Sequence, residues 1–269
     1  NLQEVLGTKQ QYLNEISEVY GRAINTGRGK WVIASAHGLA RLNMGLSDVL
    51  KKAPVPDGVD PGQYSQALAG EAATYEGNAK ELMKVCSGKS RELKIFTAYA
   101  TACLSGSFES VIETARRARS SGQGGDSYQQ RLLEIRKQLA KKPNSIPRLE
   151  EMAKVSMSVG DYHLALLALQ KAEELDPRRA QTQNLLGVVR WQLGEPQEGY
   201  ENLMNAYKRR EPAAAANLAA LFGEYGYGKE SRAFLGRAGD LGTANLSSPE
   251  YHPSVNRLRE GTLSAGGES

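Results

Sequence analysis

The side chains most able to do chemistry in this chain are three histidines, His37, His163 and His252, and two cysteines, Cys86 and Cys103. A tetrahedral metal site needs Cys, His or carboxylate ligands at short spacing on at least one element. The histidines lie far apart in sequence and none belongs to such a cluster, so surface or helix-packing roles are expected for all three. "CSGKSR", residues 86–91, imitates the end of a phosphate-binding loop, but Met83 stands where the loop's first glycine belongs and no strand pattern precedes it. "GRGKW", residues 27–31, fails in the same way. No G-x-S-x-G turn is present to carry a serine nucleophile. The expectation is a protein with no catalytic residue, no metal and no cofactor.

The cysteines pose a geometric question that depends on where the surrounding helices turn. A turn at "SGKS", residues 87–90, would leave Cys103 about 20 Å up the second helix, out of bonding range. A turn at "KIF", residues 94–96, puts both cysteines about 12 Å from the turn and facing one another. Glu92-Leu93 reads as a helix end and Thr97 as an N-cap, so the second geometry and a disulfide are predicted. Two buried free thiols are the other reading. A disulfide would suit an oxidising compartment.

Bulk properties narrow the class further. The chain has 269 residues, 40% hydrophobic and 24% charged, enough to bury a core, and no apolar run reaches the roughly 18–20 residues of a membrane span. A soluble protein is expected. It begins at Asn1 without a leader pattern, which leaves a removed targeting segment and an excised piece equally open. Net charge is +4. The basic clusters (Arg116, Arg117, Arg119; Lys141, Lys142; Lys208, Arg209, Arg210) fall late in helices or beside loops, where cations complement the helix dipole, and nucleic-acid binding is not expected.

The elements that must position any site repeat along the second half. Gly160, Gly194 and Gly226 are spaced by 34 and 32 residues, and Ala172, Ala206 and Ala238 keep the same intervals. Ala165, Gly199 and Ser231 do so too, as do Ala153, Gly187 and Ala219. Small residues at fixed offsets with a period near 34 predict stacked helical hairpins. The run "LEEMAKVSMSVGDYHLALLALQKAEELDP" carries Leu149, Met152, Ala153, Gly160, Tyr162, Ala165, Leu169, Ala172 and Pro177 at the positions of a tetratricopeptide repeat (TPR), and the chain resembles that family. Two further copies follow, the last weaker and without the closing proline. "SYQQRLLEIRKQLAKKP" reads as an extra helix leading in, and the fold class expected is all-α, a helical N-terminal domain followed by a TPR-type α-solenoid.

The domain plan is residues 1–119, a Gly/Ser-rich linker at 120–127, a repeat array at 128–247, and a tail at 248–269 with a short capping helix at "PSVNRLRE" and a disordered end. Residues 1–119 hold two amphipathic runs, a loop with three prolines at "PVPDGVDPGQY", a long helical run over 63–93, and a repeat-type turn at Gly106 and Phe108. Tyr12, Gly27, Trp31, Ala34, Gly38, Leu39, Leu46, "APVP" at 53–56, Tyr64, Leu68, Glu76, Ala79 and Glu92-Leu93 resemble a unit of periplasmic TPR proteins in the myxobacterial gliding-motility machinery. The resemblance covers roughly residues 10–105. It implies a periplasmic scaffold in a cell-envelope assembly, binding protein partners, with no nucleic acid, membrane span or small-molecule substrate.

In the TPR family the first helix of each repeat lines a groove. The resemblance places Glu150, Lys154, Met157 and Ser158 there from the first repeat. It places Gln181, Asn184, Val188, Trp191 and Gln192 there from the second, and Ala213, Ala216, Ala220 and Glu224 from the third. Only Lys154 and Asn184 could clamp a terminal carboxylate, so an extended or helical segment with apolar anchors is expected. Trp191 has an alternative role, packing against a neighbouring repeat or the tail. A regulatory or cell-wall-processing accessory protein is the competing function.

Overall fold

The structure, a computed structural model, describes residues 2–111, 125–239 and 245–261, with the side chains of 2–6, 9, 10 and 13 left aside. Among the described residues every regular element is a helix. The chain divides into two compact units, residues 1–113 and 114–269. Residues 120–124 of the expected linker lie outside the described residues, while Asp126 and Ser127 already belong to a helix. Residues 112–118 of the "VIETARRA" run and Arg119 of the basic cluster also lie outside them.

Unit 1 comprises α1 (Leu2–Asn25), α2 (Gly29–Lys51), α3 (Pro61–Leu93) and α4 (Ala98–Ser105). The buried side of α2 runs Ile33, Ala36, His37, Ala40 and Asn43, the three- and four-residue steps of an amphipathic helix. It packs on Ala72, Ala79, Met83 and Cys86 of α3. The Asp60 side chain caps α3 by accepting from Gln63 N–H at 2.8 Å, with Pro61 pre-set for the first turn. α3 runs straight through "SGKS" and stops at Leu93, where Lys94 takes a left-handed conformation. Thr97 then caps α4 by accepting from Ala100 N–H. This turn brings Cys86 and Cys103 together as a disulfide, Cα to Cα 5.8 Å, within a core of Ile33, Ala36, Ala40, Met83 and Ala100.

Unit 2 opens with α5 (Asp126–Lys141) and continues as three antiparallel pairs. These are α6 (Ile146–Ser158) with α7 (Tyr162–Leu175), α8 (Ala180–Gln192) with α9 (Pro196–Lys208), and α10 (Pro212–Glu224) with α11 (Gly228–Leu235). Each pair turns on a glycine with positive φ: Gly160 at 78°, Gly194 at 84° and Gly226 at 82°. The small residues sit where the helices cross. Ala153, Ala165, Ala172, Ala206 and Ala219 are fully buried, and a Cβ on Gly187 would meet Leu203 at 2.6 Å and the Gly199 carbonyl at 3.0 Å. Ser231 takes the third small position, its hydroxyl donating to the Ala219 carbonyl at 2.8 Å. Phe222, Tyr227 and Phe234 close the last pair with edge-on and stacked ring contacts. A short helix, α12 (Ser254–Arg259), packs on α10, within the stretch expected to form it; residues 262–269 lie outside the described residues.

Candidate partner-binding site

The first helices of the three pairs, α6, α8 and α10, lie side by side in unit 2. They present the positions assigned to a groove, but the chain's own segment 245–261 already covers that face. Its hold is specific. Asn184 Nδ2 and Asn217 Nδ2 both donate to the Glu250 carbonyl at 2.8 Å, and Asn217 Oδ1 accepts from His252 N–H at 2.8 Å. Asn217 Nδ2 also donates to Asn184 Oδ1 at 2.9 Å, which orients both amides. Two side chains on neighbouring helices thus grip residues 250 and 252 by their backbone.

Side-chain contacts flank this clamp. Lys154 forms an ion pair with the Glu250 carboxylate, to which Gln181 Nε2 also donates at 3.2 Å. The His252 ring lies flat on Trp191, centroids 3.4 Å apart and planes 9° from parallel. Ser254 N–H donates to His252 Nδ1 at 3.1 Å, so that nitrogen is the unprotonated one. Ser254 Oγ donates to Glu224 Oε2 at 2.6 Å, and Arg257 pairs with the same carboxylate at 2.9 Å. Leu246, Val255 and Leu258 bury the apolar side of the segment.

Several expected groove residues do other work. Glu150 is only 3% exposed, held by Arg179 through Nε and Nη2 at 2.7 and 2.9 Å and by Thr182 Oγ1 at 2.7 Å. It staples α6 to the start of α8 and offers nothing to a ligand, and its hydrogen bonds push the Arg179 guanidinium further up. Met157 and Val188 are buried in the core between the first two pairs. Ala213, Ala216 and Ala220 are buried, Gln192 is half-buried and Ser158 is exposed. Of the expected set, Lys154, Gln181, Asn184, Trp191 and Glu224 converge on the covering segment. Trp191 is 3% exposed because His252 sits on it.

Sequence reasoning did not find Asn217, Glu250 or His252. Asn217 carried a signal: it stands in "PAAAANLAALFGE", a helix buried without a break from Ala213 to Gly223. A polar side chain there must be hydrogen-bonded.

The site's electrostatics are crowded. Burial first, then the nearby Glu250 charge, raise the Glu211 carboxyl above its ordinary value. The Tyr251 phenol is raised by burial and by Glu250 and Glu211.

No protein-family model matches the chain, and no curated protein resembles it significantly. Function therefore has to be argued from the geometry. Among the described residues no group of three or more His, Cys, Asp or Glu could hold a metal, and no helix is long and apolar enough to cross a membrane. His163 is exposed and His37 is buried, its Nε2–H donating to the Ser107 carbonyl at 3.0 Å. Unit 1 carries a second surface, an apolar groove of about 560 Å³ lined by Tyr12, Ile16, Tyr20, Leu42, Val49 and Phe108.

Proposed function

We propose that the chain is a non-enzymatic interaction scaffold of a bacterial cell-envelope assembly, and that its helical pairs form a TPR-type array that grips a peptide or protein segment. The observation carrying this reading is the double asparagine clamp. Asn184 and Asn217 bind main-chain atoms of residues 250 and 252, a hold that does not depend on the side chains of the segment. The repeated Gly and Ala positions at each helix crossing support the family. The Cys86–Cys103 disulfide suits an oxidising compartment and so supports the periplasm. The gliding-motility assignment rests on the resemblance of residues 10–105.

The test is capture from a native envelope extract with the full chain and its Trp191→Ala variant in parallel. A partner held by the first and lost by the second would locate recognition on the α6–α8–α10 face. One held equally by both would move it to unit 1 and its apolar groove. Turnover of an envelope substrate without a stable partner would sink the scaffold reading in favour of an enzyme-modulating role.

A further inference from the structure

The segment 245–261 is built in two parts with different chemistry. Its far end is ordinary packing: Val255 and Leu258 are buried beside α10. Its near end, residues 249–254, is held like a bound peptide, by backbone clamps and by discrete side-chain subsites. Lys154 and Gln181 receive a carboxylate, Trp191 receives a flat ring, and Glu224 receives a hydroxyl. The fit of this near end is incomplete. The indole Nε1–H of Trp191 is buried and has no acceptor among the described residues; His252 covers the ring's face and leaves that donor unpaired. Glu250, which the lysine attracts, also lies close enough to Glu211 to disfavour that group's charge.

We propose that residues 249–254, Pro-Glu-Tyr-His-Pro-Ser, are a tethered stand-in for a partner protein's segment, which displaces them and presents the same order of groups: a carboxylate, an aromatic residue, a flat ring and a proline. This rests on the scaffold reading above and adds to it the partner's chemistry and the control of access. The clamps accept a backbone that turns at residues 248–251, Lys154 and Gln181 select the acidic residue, and the Trp191 plate selects the ring two positions later. A partner that also offers an acceptor to Trp191 Nε1–H binds better than the stand-in. Val255 and Leu258 keep the displaced segment anchored, so the exchange is local.

The experiment uses a fluorescein-labelled peptide of residues 247–255 and fluorescence anisotropy. The proteins are the full chain, the full chain with Glu250→Ala and His252→Ala, and that double variant with Trp191→Ala added. Self-occupancy lowers apparent affinity by the fraction of open sites, so the double variant should bind the peptide at least about tenfold tighter than wild type. Adding Trp191→Ala should cost at least about tenfold. A folded double variant that ignores the peptide, or binding indifferent to Trp191, would overturn the proposal. So would a mixed dimer of double variant and wild type in light scattering, which would make the occupant a second copy's segment.

If the double variant does not fold, hydrogen exchange of the wild type decides. Amides of 249–254 exchanging at least about tenfold faster than those of α8 support a displaceable segment. Exchange as slow as α8 makes it an integral part of the fold. Failure of the scaffold reading would show differently, as an envelope extract that yields no partner at all.

Discussion

Replacing Asn217 with alanine tests the clamp at its centre. The side chain makes two hydrogen bonds to the covering segment, Nδ2 to the Glu250 carbonyl and Oδ1 from His252 N–H, and a third that holds Asn184 in place. The Glu250 carbonyl keeps its bond from Asn184. At roughly 1 kcal/mol net per buried hydrogen bond, with an added cost for misorienting Asn184, opening of the segment should become easier by about 2–3 kcal/mol. That corresponds to an opening equilibrium about 30- to 150-fold larger. Alanine at position 217 suits the helix, which is already rich in it, so α10 itself should persist.

The assay is native-state hydrogen exchange read by mass spectrometry, with fragments covering 245–261 compared with fragments covering α8 in one experiment. The segment should exchange faster by the stated factor while α8 changes several-fold less. Acceleration of both by one common factor would refute the reasoning, because the segment would then open only with the whole unit. No acceleration would refute it differently, by showing that the asparagines do not hold the segment.

Four other outcomes follow from the same structure. Cys86→Ala with Cys103→Ala removes a crosslink spanning 17 residues, and urea unfolding should show a loss of about 3 kcal/mol, so a change near zero would mean the unfolded chain is already constrained there. Gly187→Ala should destabilise by about 1–3 kcal/mol because its Cβ meets Leu203 and the Gly199 carbonyl, whereas Gly77→Ala, in open space on α3, should stabilise by up to about 1 kcal/mol; equal effects in thermal melts would contradict the close crossing of α8 and α9. Burial, with the Arg41 charge adding to it, holds the His37 imidazole below 6.5 despite its bond to Ser107, so stability is intact above 6.5 and falls as pH drops below it while the unfolded chain takes up the proton; His37→Gln should flatten that fall between pH 7.5 and 5.5, and an NMR titration of His37 above 6.5 would reverse the sign. Glu211 is raised, so its charge costs stability at neutral pH, and Glu211→Gln should raise the melting midpoint at pH 7 and lose that advantage in acid; a lower midpoint at pH 7 would mean its attraction to Lys154 outweighs Glu250 and burial.

What could be read from the sequence is what local rules determine. The period near 34 is visible because each crossing requires a small residue and each turn a positive φ. Ala153, Gly187 and Ala219, and Gly160, Gly194 and Gly226, meet those needs wherever the pair stands in the chain. The turn between α3 and α4 is legible for a similar reason, since Thr97 caps the second helix with its own side chain. The boundary between units is less legible, because a linker's composition says nothing about where contacts cease, and residues 112–124 lie outside the described residues.

Residues 245–253 of the covering segment obey no local rule. "NLSSPEYHPSVNRLRE" has two prolines and mixed charge, and read alone it is a tail with a short helix at its end. Its order comes from side chains up to 96 residues away in sequence, as in the Lys154–Glu250 pair. The trace it leaves is on the other side of the contact. An asparagine in the middle of an alanine-rich helix is a poor choice for solvent-facing propensity and a costly one for a core without a partner. Asn217 therefore implies a polar group lying against α10, though its presence does not say which segment supplies it. The same reasoning applies to the Trp191 indole N–H, which the segment leaves unpaired. A buried donor without an acceptor among the described residues argues for a different occupant of that face, one that brings the acceptor.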